Sequence, residues 1–276
     1  MPESRQELLK RLAGQANEIR RNSMRALFAS KGGHVGGAMS AAEVLSALYF
    51  HSMKIRPQEP NWPDRDRFVL SKGHGNAALS AVLAMSGFFP FEDLDRFYGY
   101  ESPLGMHPDI KVNGVEMSTG GLGHGLPVGI GMALGARIKG QSFHTYVMIG
   151  DGELHEGSNW EAAMAGAHFR LSNLTAIIDA NRVSQSGHVK DIMGIEPLGD
   201  KWRAFGWAVR EIDGHDIGEV VDALDALPYD RNKPNCIIAN TVKGKGISFA
   251  EDTYLWHSNN VTQEIYDKAL AELGAK

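Results

Sequence analysis

Two short apolar runs that each end in a polar residue constrain the fold of this chain more than any other feature. The run Thr145–Ile149 is followed by Asp151, which has a glycine on each side, and the run Leu174–Ile178 is followed closely by Asn181. Continuous apolar runs of this length are typical of strands buried on both faces of a parallel sheet. The two runs therefore predict neighbouring strands with a polar residue just beyond each carboxyl end.

The interval between these runs has the spacing of a helix. On one side of a segment from about residue 155 to residue 167, apolar residues recur at Trp160, Ala163, Met164 and Ala167. Similar patterns predict strands at Arg67–Leu70, Trp207–Ile212 and Asn235–Thr241, helices at Leu126–Ile138 and Ile217–Leu227, and an amino-terminal helix or helix pair between Leu8 and Phe28. We predict an α/β fold with a mostly parallel central sheet flanked by helices.

Ligands of such sheets gather at the carboxyl ends of the strands, where Asp151 and Asn181 are expected to meet. Carboxylate and amide oxygens suit Mg²⁺, or another divalent cation, that bridges a diphosphate. The backbone carbonyl of Val183 would be a third protein ligand, and Gly150 and Gly152 would let the backbone approach a charged ligand closely. The alternative is that Asp151 is only a turn residue that bonds its own backbone.

Four further segments accompany this signature in a fixed order: Gly33–Gly37, Asp66–Gly75, Gly105–Pro108 and Thr119–Gly125. Together with the aspartate and asparagine, they resemble the thiamine diphosphate enzymes, and in particular the part of transketolase that binds the cofactor diphosphate. The resemblance runs from near residue 20 to about residue 260. It implies the thiamine diphosphate-binding fold, with thiamine diphosphate and Mg²⁺ as cofactors.

The resemblance also implies roles for four histidines. His74 would contact the diphosphate, His34 would lie beside the reacting carbon, His107 would meet the hydroxyl groups of the substrate, and His257 would contact both the diphosphate and the reaction centre. The residues themselves support His74, because an imidazole between two glycines can donate to a closely placed phosphate oxygen. A purely structural turn histidine is the alternative.

Further cofactor and interface residues follow from the same resemblance. The backbone of Gly120 and the side chain of Leu122 would contact the two rings of the cofactor, although a glycine cluster can also simply begin a crowded helix. Glu156 matches a catalytic-site acid at the subunit interface; otherwise it is an acid favourably placed in the first turn of a helix. Lys243 and Lys245 lie among glycines and could face phosphate, but solvated surface lysines are the commoner outcome.

Three positions depart from the usual transketolase pattern. Val35 stands where proline is usual in the first histidine segment, and Gly121 stands where proline is usual in the glycine cluster. His124 replaces a glutamine whose amide lies near the cofactor ring. The role of that position is therefore in doubt, and a changed substrate preference is one possible consequence.

The length of 276 residues fits one α/β domain, so we expect residues 1–276 to form a single diphosphate-binding and Mg²⁺-binding domain. Full transketolases also have a pyrimidine-binding domain and a carboxyl-terminal domain. The resemblance therefore implies a split transketolase, in which a separate carboxyl-terminal subunit supplies those parts and an α2β2 heterotetramer forms. The expected reaction transfers a two-carbon ketol unit from a ketose phosphate to an aldose phosphate. The sequence does not identify either sugar.

Composition excludes several other classes. A net charge of −5 with mixed signs gives no nucleic-acid footprint, and no apolar run approaches a membrane span. The single cysteine, Cys236, is expected to be a buried apolar side chain, and the charged first residues lack a secretory pattern. We expect a cytoplasmic protein. Two alternatives stay open: the cofactor-binding subunit of a 2-oxo acid decarboxylating complex, and a noncatalytic scaffold subunit that retains a diphosphate site.

Overall fold

A computed structural model describes residues 3–274 and has a parallel sheet at its centre. The strands are β1 (Gly32–Gly33), β2 (Arg67–Leu70), β3 (Thr145–Gly150), β4 (Leu174–Ala180), β5 (Ala208–Asp213), β6 (Asn235–Asn240) and β7 (Asn259–Asn260). Five of them form the central sheet in the order β2-β3-β4-β6-β5, and every pair in it is parallel. The two shortest, β1 and β7, pair with each other in antiparallel fashion.

Ten α-helices within the described residues surround this sheet. They are α1 (Arg5–Ala29), α2 (Gly36–Met39), α3 (Ala42–Ala47), α4 (Asn76–Ser86), α5 (Gly125–Lys139), α6 (Gly157–His168), α7 (Val189–Met193), α8 (Leu198–Ala204), α9 (Ile217–Asp225) and α10 (Gln263–Glu272). The predicted amino-terminal helix or pair is thus one helix, α1, which begins with a capping box between Ser4 and Glu7.

Helices cover the sheet on both faces, which explains the continuous apolar strands. Every residue of β3 and β4 is buried. One buried cluster joins the sheet to α1, α3, α4 and α9, and a second joins it to α5, α6 and α8. Cys236 is buried in the second cluster, as expected. The predicted α/β fold is confirmed. None of the helices in residues 3–274 combines the length and apolar character that crossing a bilayer requires.

The register of the strands brings the predicted ligand residues to one edge of the sheet. Gly150 of β3 pairs with Asp179 of β4, and Ala180 of β4 pairs with Asn240 of β6. Because the strands are parallel, the residues that follow them, Asp151 and Asn181, emerge at the same edge.

The inward face of α6 differs from the prediction. Met164 was expected on the packed side, but it is 55% exposed, whereas Ala163 is buried as expected. The buried face of α6 also contains Gly166, where an added Cβ would lie 2.9 Å from both Ile130 and the ring of Trp207. Close helix packing on small residues, rather than the larger apolar ones, therefore sets the orientation of α6.

Candidate active site

A cavity of roughly 270 Å³ opens at the carboxyl edge of the sheet. Its wall contains every residue predicted to bind cofactor or metal, and all four predicted histidines: His34, His74, His107, Gly120, Leu122, Gly150, Asp151, Gly152, Asn181, Val183 and His257. Lys243, one of the two lysines that could face phosphate, is also in the wall, and residues without a predicted site role complete it: Lys72, Glu153, Ser184 and Gln185. The predicted acid Glu156 is exposed just before α6, and it does not line this cavity.

The four histidines form one cluster around His34. The centroid of its ring lies 5.7 Å from that of His74, 5.6 Å from that of His107 and 5.3 Å from that of His257. The pairing of β1 with β7 brings the His34 and His257 segments together. The Nδ1 atom of His34 is buried and has no hydrogen-bond partner in the described residues, which is uncommon for a buried polar atom.

These imidazoles are neutral at physiological pH. Burial, with the nearby ammonium of Lys72, lowers the pKa of His74 well below its ordinary value. Burial and the ammonium of Lys243 lower the pKa of His257 to about 3. Burial also lowers the pKa values of His34 and His107. Each neutral ring offers one N–H donor and one acceptor nitrogen, which suits hydrogen bonding to phosphate or sugar oxygens.

The depressed pKa of His74 predicts an acid sensitivity of the folded chain. The unfolded chain binds this proton near pH 6.5, whereas the folded chain binds it only at much lower pH, so acidification favours unfolding. Between pH 6.5 and pH 5, His74 is expected to remove up to about 1.4 kcal/mol of stability per pH unit. Urea unfolding of the wild type and of a His74→Asn variant between pH 6.5 and pH 5 gives the free energy of unfolding at each pH. The slope of this free energy against pH should be smaller in the variant.

An exposed histidine of α6 supplies the matched control. His168 is exposed and lies outside the cavity, so His168→Asn should not reproduce the change in slope expected of His74→Asn. Parallel curves for wild type and His74→Asn would contradict the buried, neutral state of His74.

Asp151 is a buried carboxylate held by backbone amides. One carboxylate oxygen accepts from the Gly152 amide at 2.8 Å, and the other accepts from the Arg182 amide at 2.6 Å. Burial and the neighbouring carboxylate of Asp179 raise the pKa of Asp151 to about 6. A divalent cation at this carboxylate would reverse that shift, because a nearby positive charge favours the ionised form.

Asn181 and Val183 present two more oxygens to the same cavity. The Asn181 Oδ1 accepts from the Val183 amide at 3.2 Å, which fixes the orientation of the side-chain amide. The Val183 carbonyl accepts from the Lys243 ammonium at 2.9 Å. This carbonyl oxygen has a second lone pair that stays available to a cation. A carboxylate, an amide and a carbonyl oxygen together form the hard donor set that Mg²⁺ takes.

Lys72 is a site residue that the sequence reasoning missed. It is fully buried after β2, donates to the Gly37 carbonyl at 2.7 Å, and forms an ion pair with Asp179 of β4. Burial alone would raise the pKa of Asp179, but the Lys72 ammonium holds it below its ordinary value. Hydroxyl groups of Ser40 and Thr241 also donate to Asp179. Lys72 thus joins two strand ends to the segment that follows His34.

Lys243 is the second buried cation of the site. Its ammonium donates to the carbonyls of Val183 and Ser184 and lies 2.9 Å from Nδ1 of His257. Burial and the charge of Lys72 lower its pKa to about 8. The expectation of a solvated lysine was therefore wrong at this position. At Lys245 the side chain is about 40% exposed and lies 3.9 Å from Glu251.

A buried hydrogen-bond chain fixes the backbone next to Lys243. The Val242 amide donates to Nε2 of His215 at 2.8 Å, so the opposite ring nitrogen, Nδ1, donates to Glu43 at 3.0 Å. Arg20 of α1 donates to the same Glu43 oxygen at 2.7 Å. Helix α1 is thereby coupled to the position of the second buried lysine.

The chemistry of the cavity fits a metal-bound diphosphate. The two buried lysines supply positive charge, the four neutral imidazoles can donate to phosphate oxygens, and the oxygen atoms of Asp151, Asn181 and Val183 could hold a divalent cation. Among residues 3–274, no group of three or more His, Cys, Asp and Glu side chains is arranged to hold a metal. The metal position expected here instead uses one carboxylate, one amide and one backbone carbonyl.

A larger neighbouring cavity, of roughly 610 Å³, shares Asp151 but is less suited to this ligand. Its wall is partly apolar, and the guanidinium of Arg182 is bonded to Glu196 and to Asn240. A guanidinium that is already paired with a carboxylate is a poorer phosphate ligand than the ammonium of Lys243 in the smaller cavity, whose partners are two carbonyls and an imidazole.

Comparisons with known proteins agree with this geometry. Residues 12–276 match the family described as transketolase, thiamine diphosphate binding domain. The chain is 46% identical over 263 residues to the 6-deoxy-6-sulfo-D-fructose transketolase subunit SqwG of a Clostridium species, covering 95% of this chain and 96% of that one. It is 42% identical over 262 residues to one subunit of the apulose-4-phosphate transketolase of Phocaeicola vulgatus, covering 95% and 93%.

Solved structures of transketolases share the fold. The transketolase of Campylobacter jejuni superposes with a TM-score of 0.90 at 33% identity, over 96% of this chain and 43% of that one. The transketolase of Leishmania mexicana gives a TM-score of 0.89 at 33% identity, over 95% and 41%. The chain therefore spans about two fifths of the length of these solved enzymes, but nearly all of the length of the two relatives named as subunits.

Proposed function

Because the chain belongs to the transketolase family, whose thiamine diphosphate-binding domain its sequence matches, we propose that it is one subunit of a split transketolase. The complex transfers a two-carbon ketol unit from a ketose donor to an aldose acceptor. The observation that carries this proposal is the single cavity that gathers the cationic side chains and the metal-type oxygens at the strand ends. Relatives of nearly the same length that are named as transketolase subunits support it.

Within this proposal, Mg²⁺ or another divalent cation is held by Asp151, Asn181 and the Val183 carbonyl. The diphosphate lies against His74 and His257, with Gly150 and Gly152 giving the backbone room to approach. Gly120 and Leu122 form the wall beside the cofactor rings. The raised pKa of Asp151 supports the cation, because an ionised carboxylate in this buried position needs a positive partner.

In this proposal, His34 and His107 contact the substrate. Thiamine diphosphate, when bound, supplies the carbon that takes up the two-carbon unit. His34, which lines the cavity, is placed beside that carbon. His107, on the rim of the cluster, binds the substrate hydroxyl groups. Because burial keeps these rings neutral, each can accept a proton without first losing one to solvent, and the imidazolium so formed can return that proton in a later step.

We infer that a partner subunit completes the cofactor site, because relatives of nearly the same length are named as transketolase subunits. We propose that the partner is a carboxyl-terminal transketolase subunit with the pyrimidine-binding domain, and that the assembly is α2β2. Large apolar side chains are exposed on and beside α5 and α6, which supports a covered face there: Leu122, Val128, Ile138 and Met164. Glu156 lies beside Gly123 next to this face, and we place it at the subunit interface.

The split site predicts that catalysis depends on mixing. This chain alone should show no transketolase turnover above background, whereas addition of the partner subunit should restore it and saturate at one partner per chain. The reason is that groups on both sides of the cofactor are needed for the reaction. Turnover measured against the molar ratio of the two subunits, with a ketose phosphate donor, Mg²⁺ and thiamine diphosphate, gives both quantities.

A variant of the exposed apolar face on α5 and α6 tests whether activity depends on association. Met164→Lys should weaken association without changing the binding cavity, so a higher partner concentration should recover part of the activity. Full turnover by this polypeptide alone would refute the split site.

The names of relatives suggest the chemical class of the substrates, which are modified sugars. The names of two relatives refer to a sulfonated fructose and to apulose 4-phosphate. We propose a ketose donor and an aldose acceptor that carry an anionic group, without choosing between these sugars. A substrate panel with the assembled complex would identify them, and turnover of a 2-oxo acid in place of a ketose would favour the decarboxylating alternative. The cytoplasmic location stays a prediction.

A further inference from the structure

Glu153 is a buried acid in the wall of the cavity to which the proposed function assigns no role. It lies two residues after Asp151, in the short 3-10 turn that precedes α6, and only 2% of its surface is exposed. No arginine or lysine is paired with it among the salt bridges of the described residues. Its charge must therefore be compensated by hydrogen bonds.

The donors to Glu153 come from three separate segments around the site. The Ser71 hydroxyl, just after β2, and the Gly123 amide both donate to Oε1, the latter at 2.9 Å. The Gly150 amide, at the end of β3, donates to Oε2 at 3.1 Å. Both carboxylate oxygens are therefore used, and each links the acid to a different part of the cavity wall.

The Ser71 hydroxyl extends this network to the end of the glycine segment. Its Oγ accepts from the Gly125 amide at 3.1 Å. A Cβ added at Gly125 would lie 2.4 Å from both Cβ and Oγ of Ser71, so the backbone packs directly on that serine. The beginning of the segment is fixed separately, since the Thr119 hydroxyl donates to the Leu70 carbonyl at 2.9 Å.

Residues 120–125 contain few side chains that could hold the segment in shape. Apart from Leu122 and His124, they are glycines, and His124 is exposed. The segment is therefore shaped by bonds to its backbone amides, and a buried carboxylate is a strong acceptor for such bonds. In the proposed function this same segment forms the wall beside the cofactor rings.

We propose that Glu153 is the positioning residue of the ring-binding segment 120–125. It holds the Gly123 amide directly and the Gly125 amide through Ser71, and it anchors both to the end of β3. This inference rests on the proposed function, because it assigns the segment to the rings of thiamine diphosphate. It differs from direct contact with the diphosphate, because an ionised carboxylate has no proton to donate to phosphate. Two of its three donors, Gly123 and Ser71, belong to or bond the ring-binding segment, so its loss should act mainly on the half of the cofactor that inorganic pyrophosphate lacks.

The test compares two ligands in the assembled complex with Mg²⁺: thiamine diphosphate and inorganic pyrophosphate, each titrated by calorimetry. Glu153→Ala should weaken thiamine diphosphate binding by at least about 10-fold, the fold-change that corresponds to losing one charge-assisted hydrogen bond. The affinity for pyrophosphate should change by less than about 3-fold, because Glu153 makes no direct contact with the diphosphate in this proposal. The ratio of the two affinities is the readout, because general unfolding would lower both.

Two further variants keep the test decisive. Glu153→Gln preserves size and one acceptor oxygen, so it should fold even if Glu153→Ala does not. It should also lose affinity for thiamine diphosphate, but less than Glu153→Ala. Glu161→Gln, an exposed acid of α6, should leave both affinities unchanged. Equal loss of both ligands in Glu153→Gln, or no loss of either, would overturn the positioning role. If the wild-type complex bound neither ligand, the proposed function itself would fail.

Discussion

Replacement of Asp151 by alanine is expected to abolish Mg²⁺-dependent binding of thiamine diphosphate to the assembled complex, and with it transketolase turnover. Asp151 supplies the only carboxylate among the three protein ligands proposed for the cation, so alanine at this position removes the only negative charge of that set. Loss of groups that merely support metal ligands already costs about 10–100-fold in affinity or activity. Loss of the ligand should therefore cost at least about 100-fold.

The measurement is a calorimetric titration of thiamine diphosphate with and without Mg²⁺, followed by turnover of the same samples. Asp151→Asn keeps the size and one oxygen but removes the charge, so it should retain weak binding at high Mg²⁺ concentration. Asp191→Ala, at an exposed acid of α7, is the matched control and should behave as the wild type. Unchanged turnover in Asp151→Ala would favour the noncatalytic scaffold instead.

Replacement of Lys72 by methionine is expected to destabilise the folded chain by about 3–5 kcal/mol, the usual cost of removing one partner of a buried ion pair. Lys72 and Asp179 are each only 1% exposed in their side chains. Without the ammonium, the charge of Asp179 would remain buried at the end of β4 with only hydroxyl and amide donors. The cost reflects this unpaired charge rather than the net contribution of the pair.

Urea unfolding of the isolated chain measures this effect. A double variant, Lys72→Met with Asp179→Asn, removes both charges and should recover most of the loss, because no ion is then left unpaired. Lys190→Met, at an exposed lysine of α7, should change stability by less than about 0.5 kcal/mol. A single Lys72→Met variant as stable as the wild type would contradict the role given to the pair.

The sequence predicted the fold and most of the cavity for identifiable reasons. Apolar runs that end at Asp151 and just before Asn181 specify parallel strands, and parallel strands bring their carboxyl ends to one edge whatever their order in the sheet. The four histidines were assigned from a resemblance in the order of their segments and in the residues around them. The structure brings all four into one cluster.

The residues that sequence reasoning missed depend on contacts between distant segments. Lys72 and Asp179 lie 107 positions apart, and Glu153 bonds to Ser71 across 82 positions. A lysine or glutamate has no local pattern that indicates burial, because its partner is known only once the strands are aligned. One partial signal was present: Lys72 lies between the end of a predicted strand and a glycine-flanked histidine. Met164 was instead predicted to be buried and is exposed. Helical spacing shows which residues share a face, but it does not show that α6 packs through small residues such as Gly166.

The most direct test of the central claim is the position of the metal. In a crystal structure of the assembled complex with thiamine diphosphate and Mn²⁺ in place of Mg²⁺, the anomalous signal of manganese should lie between the diphosphate and the Asp151 carboxylate, in direct contact with Asn181 Oδ1 and the Val183 carbonyl. Manganese at any other position, or a diphosphate bound away from the ends of β3 and β4, would contradict the account.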